Sequence, residues 1–366
     1  MSQIFLVDLE AVETRYTGQW KNHVPYLLRS QGHQVQVIDG PEDIPSATTP
    51  GAFLNFGGTN IYKSRQVEQI SRLFCAGSVR AGDHFIFTDA WHPGIINLKY
   101  MSELLGIPVK IHALWHAGSY DPHDFLGRLI GAAPWVRSAE KSFFHAIDYN
   151  YFATDFHIDM FVRNLLNDGT VENPWLEDDL DMILGGEFDK IVRTGWPMEY
   201  MDNTLSLYKG MTKRDLILFP HRIAPEKQVD IFRDLKEHLP QYEFVVCQDQ
   251  QLTKEEYHNL LGEAKLVFSA NLQETLGISC YEGAIVDAIP MVPDRLSYKE
   301  MYFDTFKYPS KWTESFDAYT VYRPDLCRKI MEHMDHYETR LPMLKQQTQA
   351  LTENFFSAGK LLENIK

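Results

Sequence analysis

Two carboxylates and two cations stand in this chain at places where strands give way to helices. The first pair lies in "SANLQETLGISCYEGAIVDAIPMVPDRLSY", residues 269–298, where Glu274 and Glu282 have seven residues between them. An apolar run at Leu266–Phe268 reads as a strand, and Gly277 opens a helix over Gly277–Val286. In that arrangement the N–H groups of Thr275, Leu276, Gly277 and Ile278 point out of a helix N-terminus, a setting that binds anions, usually phosphate. Glycine at 277 lets a ligand approach the backbone closely. Glu274 precedes the turn and reaches a ligand held there. Glu282, about one turn into the helix, accepts hydrogen bonds from vicinal hydroxyls such as those of a ribose, since a carboxylate takes several hydroxyl donors. The plain alternative is a helix cap at Glu274 and an exposed helix glutamate at Glu282.

The cations come from "LILFPHRIAPEKQ", where a strand at Leu216–Phe219 runs into a loop carrying His221, Arg222 and Lys227. Arginine grips phosphate oxygens in bidentate fashion and lysine adds a point charge. Positive charge at the start of a helix opposes the helix dipole, so two cations there suggest an anionic ligand. Phosphates on the cations and the helix end, with a sugar at each side, would engage all four residues. One nucleotide-diphospho-sugar has that shape.

The elements that position these residues follow from the alternation of short apolar runs with amphipathic segments. Strands are expected at Ile4–Val7, in "GHQVQVI", at Ala52–Asn55, His84–Phe87, Val109–Leu114 and Tyr151–Thr154. Helices are expected at Trp20–Ser30, near Val67–Cys75 and at Ile95–Leu105. Beyond an acidic, turn-rich stretch between Asn167 and Phe188 a second set begins. It has strands at Leu216–Phe219, Glu243–Val246, Leu266–Phe268 and Met291–Val292, with helices at Gln228–Glu237, Lys254–Leu261 and Gly277–Val286. This order predicts α/β architecture with two doubly wound parallel sheets, in which ligands bind outside the carboxyl ends of strands. The expected division is 1–200 and 201–345, with a C-terminal helix, 346–366, that packs back on the first domain. A break in the last helical stretch is expected near Pro342.

The first half offers further candidates at strand ends. Gly18 in "RYTGQW" can let a ligand approach the backbone. "FTDAWHPG" offers Asp89 to orient or deprotonate an acceptor hydroxyl, Trp91 to stack on a sugar or base, and His92. "ALWHAGSYD" offers His116, Gly118 and Asp121. The Asp-x-Asp triplet in "EDDLD", 177–181, sits in the acidic stretch and reads as a solvated face. No cluster has zinc spacing, and neither a GxSxG elbow nor a P-loop is present.

Composition narrows the function classes. The chain has 366 residues and a formal net charge of −15, which argues against a broad basic face for nucleic acid or anionic lipid. Lys63, Arg65 and the run from Arg128 through Arg137 to Lys141 are the residues from which a local basic groove would be built. Four cysteines, Cys75, Cys247, Cys280 and Cys327, are scattered without a CxxC pair, as for reduced thiols in a cytoplasmic protein. No signal peptide and no apolar run of the roughly 20 residues that cross a bilayer are evident.

With these motifs in order and at this spacing, residues 214–302 resemble the donor-binding half of retaining glycosyltransferases of the GT-B fold, the family-four-like group. That group has an arginine–lysine pair after the first strand of its C-terminal domain and a glutamate–seven residues–glutamate motif closing on the donor. The resemblance implies two Rossmann-like domains facing across a cleft, a UDP- or GDP-sugar as co-substrate, and no permanently bound cofactor or required metal. It puts Arg222 and Lys227 on the donor diphosphate, Glu274 on the transferred sugar and Glu282 on the nucleoside ribose. Backbone groups near Thr275, Leu276 and Gly277 would meet phosphate and sugar, and His116 matches a histidine that faces the donor sugar. The glycine-rich text usual around the first glutamate is replaced here by "LQETLGIS", and the family's fuller glycine pattern is missing around Gly18. "FPHRIAPEKQVDIF" and "PDRLSYKEMY" also resemble the glycosyltransferases that mannosylate queuosine in tRNA, and the chain has a weaker local likeness to those that modify phage DNA. That likeness points to a hydroxymethylated base in DNA as acceptor, within a host cytoplasm if the chain is phage-encoded. A saccharide or small-molecule acceptor, a sugar-nucleotide epimerase and a non-catalytic nucleotide-sugar sensor remain as alternatives.

Overall fold

A computed structural model of the chain describes residues 2–11, 16–45, 47, 54–167 and 186–365. By internal contact the chain divides into two units. One comprises Met1–Ala153, His157–Pro197 and Gly359–Lys366, the other Thr154–Phe156 and Met198–Ala358.

The first unit runs β1 (Ile4–Val7), α1 (Tyr16–Ser30), β2 (Val35–Ile38), α2 (Phe56–Cys75), β3 (His84–Phe87), α3 (Gly94–Leu104) and β4 (Lys110–Leu114). It continues with α4 (Phe125–Ile130), α5 (Pro134–Ala146), β5 (Tyr149–Phe152), α6 (Asp155–Phe161) and β6 (Ile191–Arg193). The sheet order is β2-β1-β3-β4-β5-β6, every pair parallel. All four residues of β1 and of β3 are buried, as expected of strands covered on both faces. Phe5 and Phe85 stack across the β1–β3 pair.

The second unit runs α7 (Tyr200–Leu205), β7 (Arg214–Phe219), α8 (Val229–His238), β8 (Glu243–Val246), α9 (Lys254–Glu263), β9 (Ala264–Phe268), α10 (Ile278–Ile285) and β10 (Ile289–Pro293). Then come α11 (Tyr298–Met301), β11 (Lys307–Tyr308), α12 (Phe316–Asp335) and α13 (Tyr337–Asn354). The order is β11-β10-β9-β7-β8, again parallel. After β7 the chain builds β8 on one side and then crosses to lay β9 on the other. The strand order therefore reverses between β7 and β9, and the crevice outside the carboxyl ends at such a reversal is where open α/β sheets bind ligands. The loops that leave these two strands are those carrying Arg222, Lys227 and Glu274.

Several expectations are corrected. Helix α1 begins at Tyr16, so Gly18 lies in its first turn and not in an open loop. Helix α2 begins at Phe56, where the Asn55 side chain accepts from the Gly58 N–H and caps it. Asn55 is thus a cap and no strand residue, while Ala52 and Phe53 lie outside the described residues. The helical break near Pro342 falls at His336 instead. Pro342 stands in the second turn of α13, where its missing N–H removes one intrahelical bond. Helices α4, α5, α6, α7, α11 and α12 and strands β6 and β11 are not among the expected elements. The "EDDLD" triplet and most of the acidic stretch lie outside the described residues. Among the described residues no helix is long and apolar enough to cross a membrane. All four cysteines are free thiols, three buried and Cys75 exposed.

Candidate donor site

The loop from β7 to α8 holds its cations by internal contacts. Arg222 donates to the Glu226 carboxylate four residues on. Glu226 is almost fully buried while Arg222 keeps about a third of its side chain exposed. The pairing orients the guanidinium and leaves most of its five donors unengaged. Lys227 turns inward. Its side chain is 8% exposed, and its Nζ donates to the Gln273 carbonyl at 2.5 Å and to Glu274 Oε2 at 3.3 Å.

Glu274 is the convergence point of the loop after β9. Besides Lys227 it receives Asn271 Nδ2 at 3.3 Å on Oε2, and the N–H groups of Thr275 and Leu276 at 3.2 and 3.4 Å on Oε1. Those two N–H groups therefore point at the Glu274 carboxylate and not outward from the helix. Helix α10 starts one residue later than expected, with Gly277 as its cap. Burial pushes the Glu274 carboxyl up, but the Lys227 ammonium first, then the His221 ring and the Gly277 and Leu276 N–H groups, outweigh it and hold the group below the usual carboxylate range. Burial drives the neighbouring His221 down to about 3, so that imidazole is neutral at pH 7. Lys227 is thus the cation that keeps Glu274 ionised.

Glu282 has the opposite character. Burial raises its carboxyl above the ordinary value, against the Tyr257 hydroxyl, which donates to Oε2 at 2.8 Å. Tyr257 sits on α9, whose first turn is fixed by a capping box between Thr253 and Glu256. One carboxylate oxygen of Glu282 is oriented by the tyrosine, and the other is left to a further donor.

Gly277 is required where it stands. Its φ is +76°, and a Cβ there would lie 2.6 Å from Cε1 of Tyr298. Tyr298 is fully buried, and its hydroxyl is 3.1 Å from both Ser269 Oγ and Asn271 Nδ2, so it has little room to yield.

The first-unit candidates are equally well anchored. Asp89 follows β3 and pairs with Lys63 Nζ at 2.8 Å; it also accepts from the Trp91 N–H. Burial opposes its ionisation, but Lys63 and His116 prevail, and the carboxyl lies at about 2. A carboxylate so stabilised is a weak base. His116, after β4, has both ring nitrogens engaged. Nε2 lies 2.5 Å from the Thr88 carbonyl, which can only accept, so Nε2 carries a proton; Nδ1 is 2.7 Å from the Tyr16 hydroxyl. Tyr16, Trp20 and Trp196 surround its ring. His92 is buried and accepts from the Gly94 N–H at Nδ1, which assigns the Nε2 proton to the Gln66 Oε1 contact. It is driven to about 3 by burial and belongs to the core.

Sequence reasoning missed Glu140 on α5. It is fully buried and accepts from Trp91 Nε1 at 2.7 Å and from the N–H and hydroxyl of Ser119 at 2.6 and 2.5 Å. It ties the loop after β3 to the loop after β4, beside Gly118, where a Cβ would strike Tyr120 and Glu140. Asp121 accepts from the His123 N–H within a turn. Among the described residues no group of His, Cys, Asp and Glu is placed to hold a metal ion.

No protein-family model matches the chain, and no curated protein matches it in sequence. Its fold is similar to several solved structures. The catalytic domain of starch synthase IV from Arabidopsis thaliana, bound to ADP and acarbose, aligns with a TM-score of 0.58 and 11% identity over 100% of this chain and 98% of that one. HepE from Anabaena, in complex with UDP and glucose, gives 0.56 and 11% over the same shares. Sucrose-phosphate synthase from Thermosynechococcus elongatus gives 0.60 and 9%, over 99% and 97%. At such identities the likeness is one of fold: two parallel-sheet α/β domains of the GT-B type.

Two outcomes are expected. In a carbon-13 titration of the glutamate carboxyls, Glu274 titrates below and Glu282 above the ordinary value, and Lys227→Met moves Glu274 upward. Because the folded pKa of Glu274 is depressed, its contribution to stability is full above the unfolded value and disappears as pH falls through the folded one. For Glu282 the sign is opposite: its ionised form costs stability above its raised folded value. Separately, Gly277→Ala lowers the unfolding free energy by about 2 kcal/mol or more, from left-handed backbone and overpacking together, read by denaturant titration.

Proposed function

We propose that the chain is a glycosyltransferase that moves a sugar from a nucleotide-diphospho-sugar to an acceptor hydroxyl with retention of configuration. The observation that carries the reading is the buried Lys227–Glu274 pair, which joins the loops leaving β7 and β9 at the strand-order reversal, with a half-buried arginine on the first loop and a second carboxylate about one turn into the helix that follows the second. The fold's likeness to proteins crystallised with UDP and glucose, or with ADP and acarbose, supports it.

In this reading Arg222 and Lys227 face the diphosphate, Glu282 takes the ribose hydroxyls and Glu274 takes hydroxyls of the transferred sugar. Thr275, Leu276 and Gly277 supply the backbone wall. The bond from the anomeric carbon to the phosphate oxygen breaks, and its electron pair leaves with the nucleoside diphosphate. Arg222 and Lys227 stabilise that developing charge. The acceptor oxygen bonds to the anomeric carbon on the face the phosphate leaves, and its proton passes to the departing phosphate oxygen. Asp89 and Lys63 neutralise each other, so Asp89 serves in positioning better than as a base. His116, doubly hydrogen-bonded, serves as a fixed polar edge for a sugar. Free thiols suit a reducing, cytoplasmic setting.

For the acceptor we take the hydroxymethylated pyrimidine in DNA as the first case. Its support is the likeness of "FPHRIAPEKQVDIF" and "PDRLSYKEMY" to base-modifying enzymes. The protein is incubated with hydroxymethylcytosine DNA and pooled UDP- and GDP-sugars, and nucleosides and donors are read by mass spectrometry. A hexose- or pentose-sized gain on the base is expected, lost by roughly a hundredfold or more in Glu274→Gln. An unchanged base with hydrolysed donor moves the acceptor to saccharides or small molecules. A donor bound but intact likewise removes only this acceptor, whereas an epimerised donor contradicts transfer itself.

A further inference from the structure

The loop that carries Glu274 has no regular structure of its own, yet its carbonyls are held almost one by one. Tyr308 Oη donates to the Ser269 carbonyl at 2.7 Å. Arg295 donates through Nη2 to Ala270 O at 2.7 Å and through Nε to Asn271 O at 2.7 Å. Its remaining contacts are Ser310 O at 3.0 Å and Thr313 O and Oγ1, both at 3.1 Å. Gln228 Nε2 shares two of these acceptors, Ala270 O at 2.6 Å and Thr313 O at 2.7 Å. Lys227 then takes the Gln273 carbonyl.

Arg295 has no salt bridge among the described residues. A largely buried guanidinium solvated by peptide carbonyls gives up hydration for geometry, because the fork fixes several acceptors in one plane. Two strained residues flank this arrangement. Gln228 has φ +54° and Leu296 has φ +57°, a left-handed conformation that costs a non-glycine residue roughly 1–2 kcal/mol and that clusters where function over-determines the backbone. At Gln228 the strained backbone turns the Lys227 and Gln228 side chains toward the same loop.

We propose that Arg295 and Gln228 are positioning residues. They clamp the Ala270 and Asn271 carbonyls and so hold Asn271, whose amide donates to Glu274, and with it the Glu274 carboxylate against Lys227. The clamp deepens the donor-site reading given above and, for its effect on turnover, rests on it.

The decisive variant is Gln228→Gly. Glycine adopts the left-handed conformation without strain, so removing the amide there does not threaten the fold. Arg295→Lys, which keeps the charge but loses the planar fork, is compared with Arg295→Met. In Gln228→Gly we expect an unchanged or raised melting temperature, UDP affinity within about threefold of wild type, and turnover down roughly tenfold or more. Arg295→Lys should recover part of what Arg295→Met loses. A second readout needs no turnover: the carbon-13 titration of Glu274 should move upward in Gln228→Gly. The clamp is refuted if turnover and the Glu274 titration both stay at wild-type values. It is equally refuted if turnover falls only in step with melting temperature and UDP affinity. If the wild type turns over no nucleotide sugar, the transferase reading fails, and the Glu274 titration alone then decides the clamp.

Discussion

The second unit of this protein depends on one buried ion pair, Lys227 with Glu274, joining the loops that leave two adjacent parallel strands. Neither partner tolerates isolation. A lysine that is 8% exposed needs an anion beside it, and a carboxylate driven upward by burial needs a cation to stay ionised. The pair forms because the strand order reverses at β7 and β9, bringing the two carboxyl ends side by side. Once formed, it fixes a carboxylate and a cation at the place where this class of sheet receives ligands.

Around that pair the structure spends its polar groups on backbone. Arg295, Gln228, Tyr308 and Lys227 take successive carbonyls of the loop, while the Glu274 carboxylate takes two of its own N–H groups. The loop is irregular in conformation yet specified in almost every hydrogen bond. Glu282 is placed by a different device, a tyrosine on the neighbouring helix. The two glutamates consequently have opposite electrostatic character, one ionised by a cation and the other resisting ionisation. In the proposed donor site the firmly charged carboxylate takes sugar hydroxyls near a cationic transition state, and the one held by a neutral phenol takes the hydroxyls of a ribose that undergoes no reaction.

Much of this was legible in the sequence, for physical reasons. Strands such as Ile4–Val7 and Glu243–Val246 are short apolar runs bounded by polar text, and a strand buried on both faces has that signature. Arg222 and Lys227 stood out because positive charge at a strand-to-helix turn opposes the helix dipole, and Glu274 and Glu282 because their spacing straddles a helix N-terminus able to hold an anion. Glu140 was illegible: it lies among helical residues like any exposed glutamate, and only its three donors from distant loops reveal it. Arg295 gave no signal as a clamp, because its partners are carbonyls, which every residue has. The early start of α1, which takes Gly18 out of a loop, was hidden because Tyr16 and Thr17 are poor markers of a helix start. The break expected at Pro342 came from reading proline as a stop, whereas the helix runs on through it with the loss of one intrahelical bond.

In the proposed donor site a nucleoside diphosphate binds at the β7–β9 reversal through Arg222. Isothermal titration of the full chain with UDP, GDP and ADP, repeated on Arg222→Leu, tests it most directly. One-to-one binding of at least one of them by the wild type is expected, weakened about tenfold or more in the variant by loss of a charge-assisted phosphate contact. Absence of binding by all three, or binding that Arg222→Leu leaves unchanged, would contradict it.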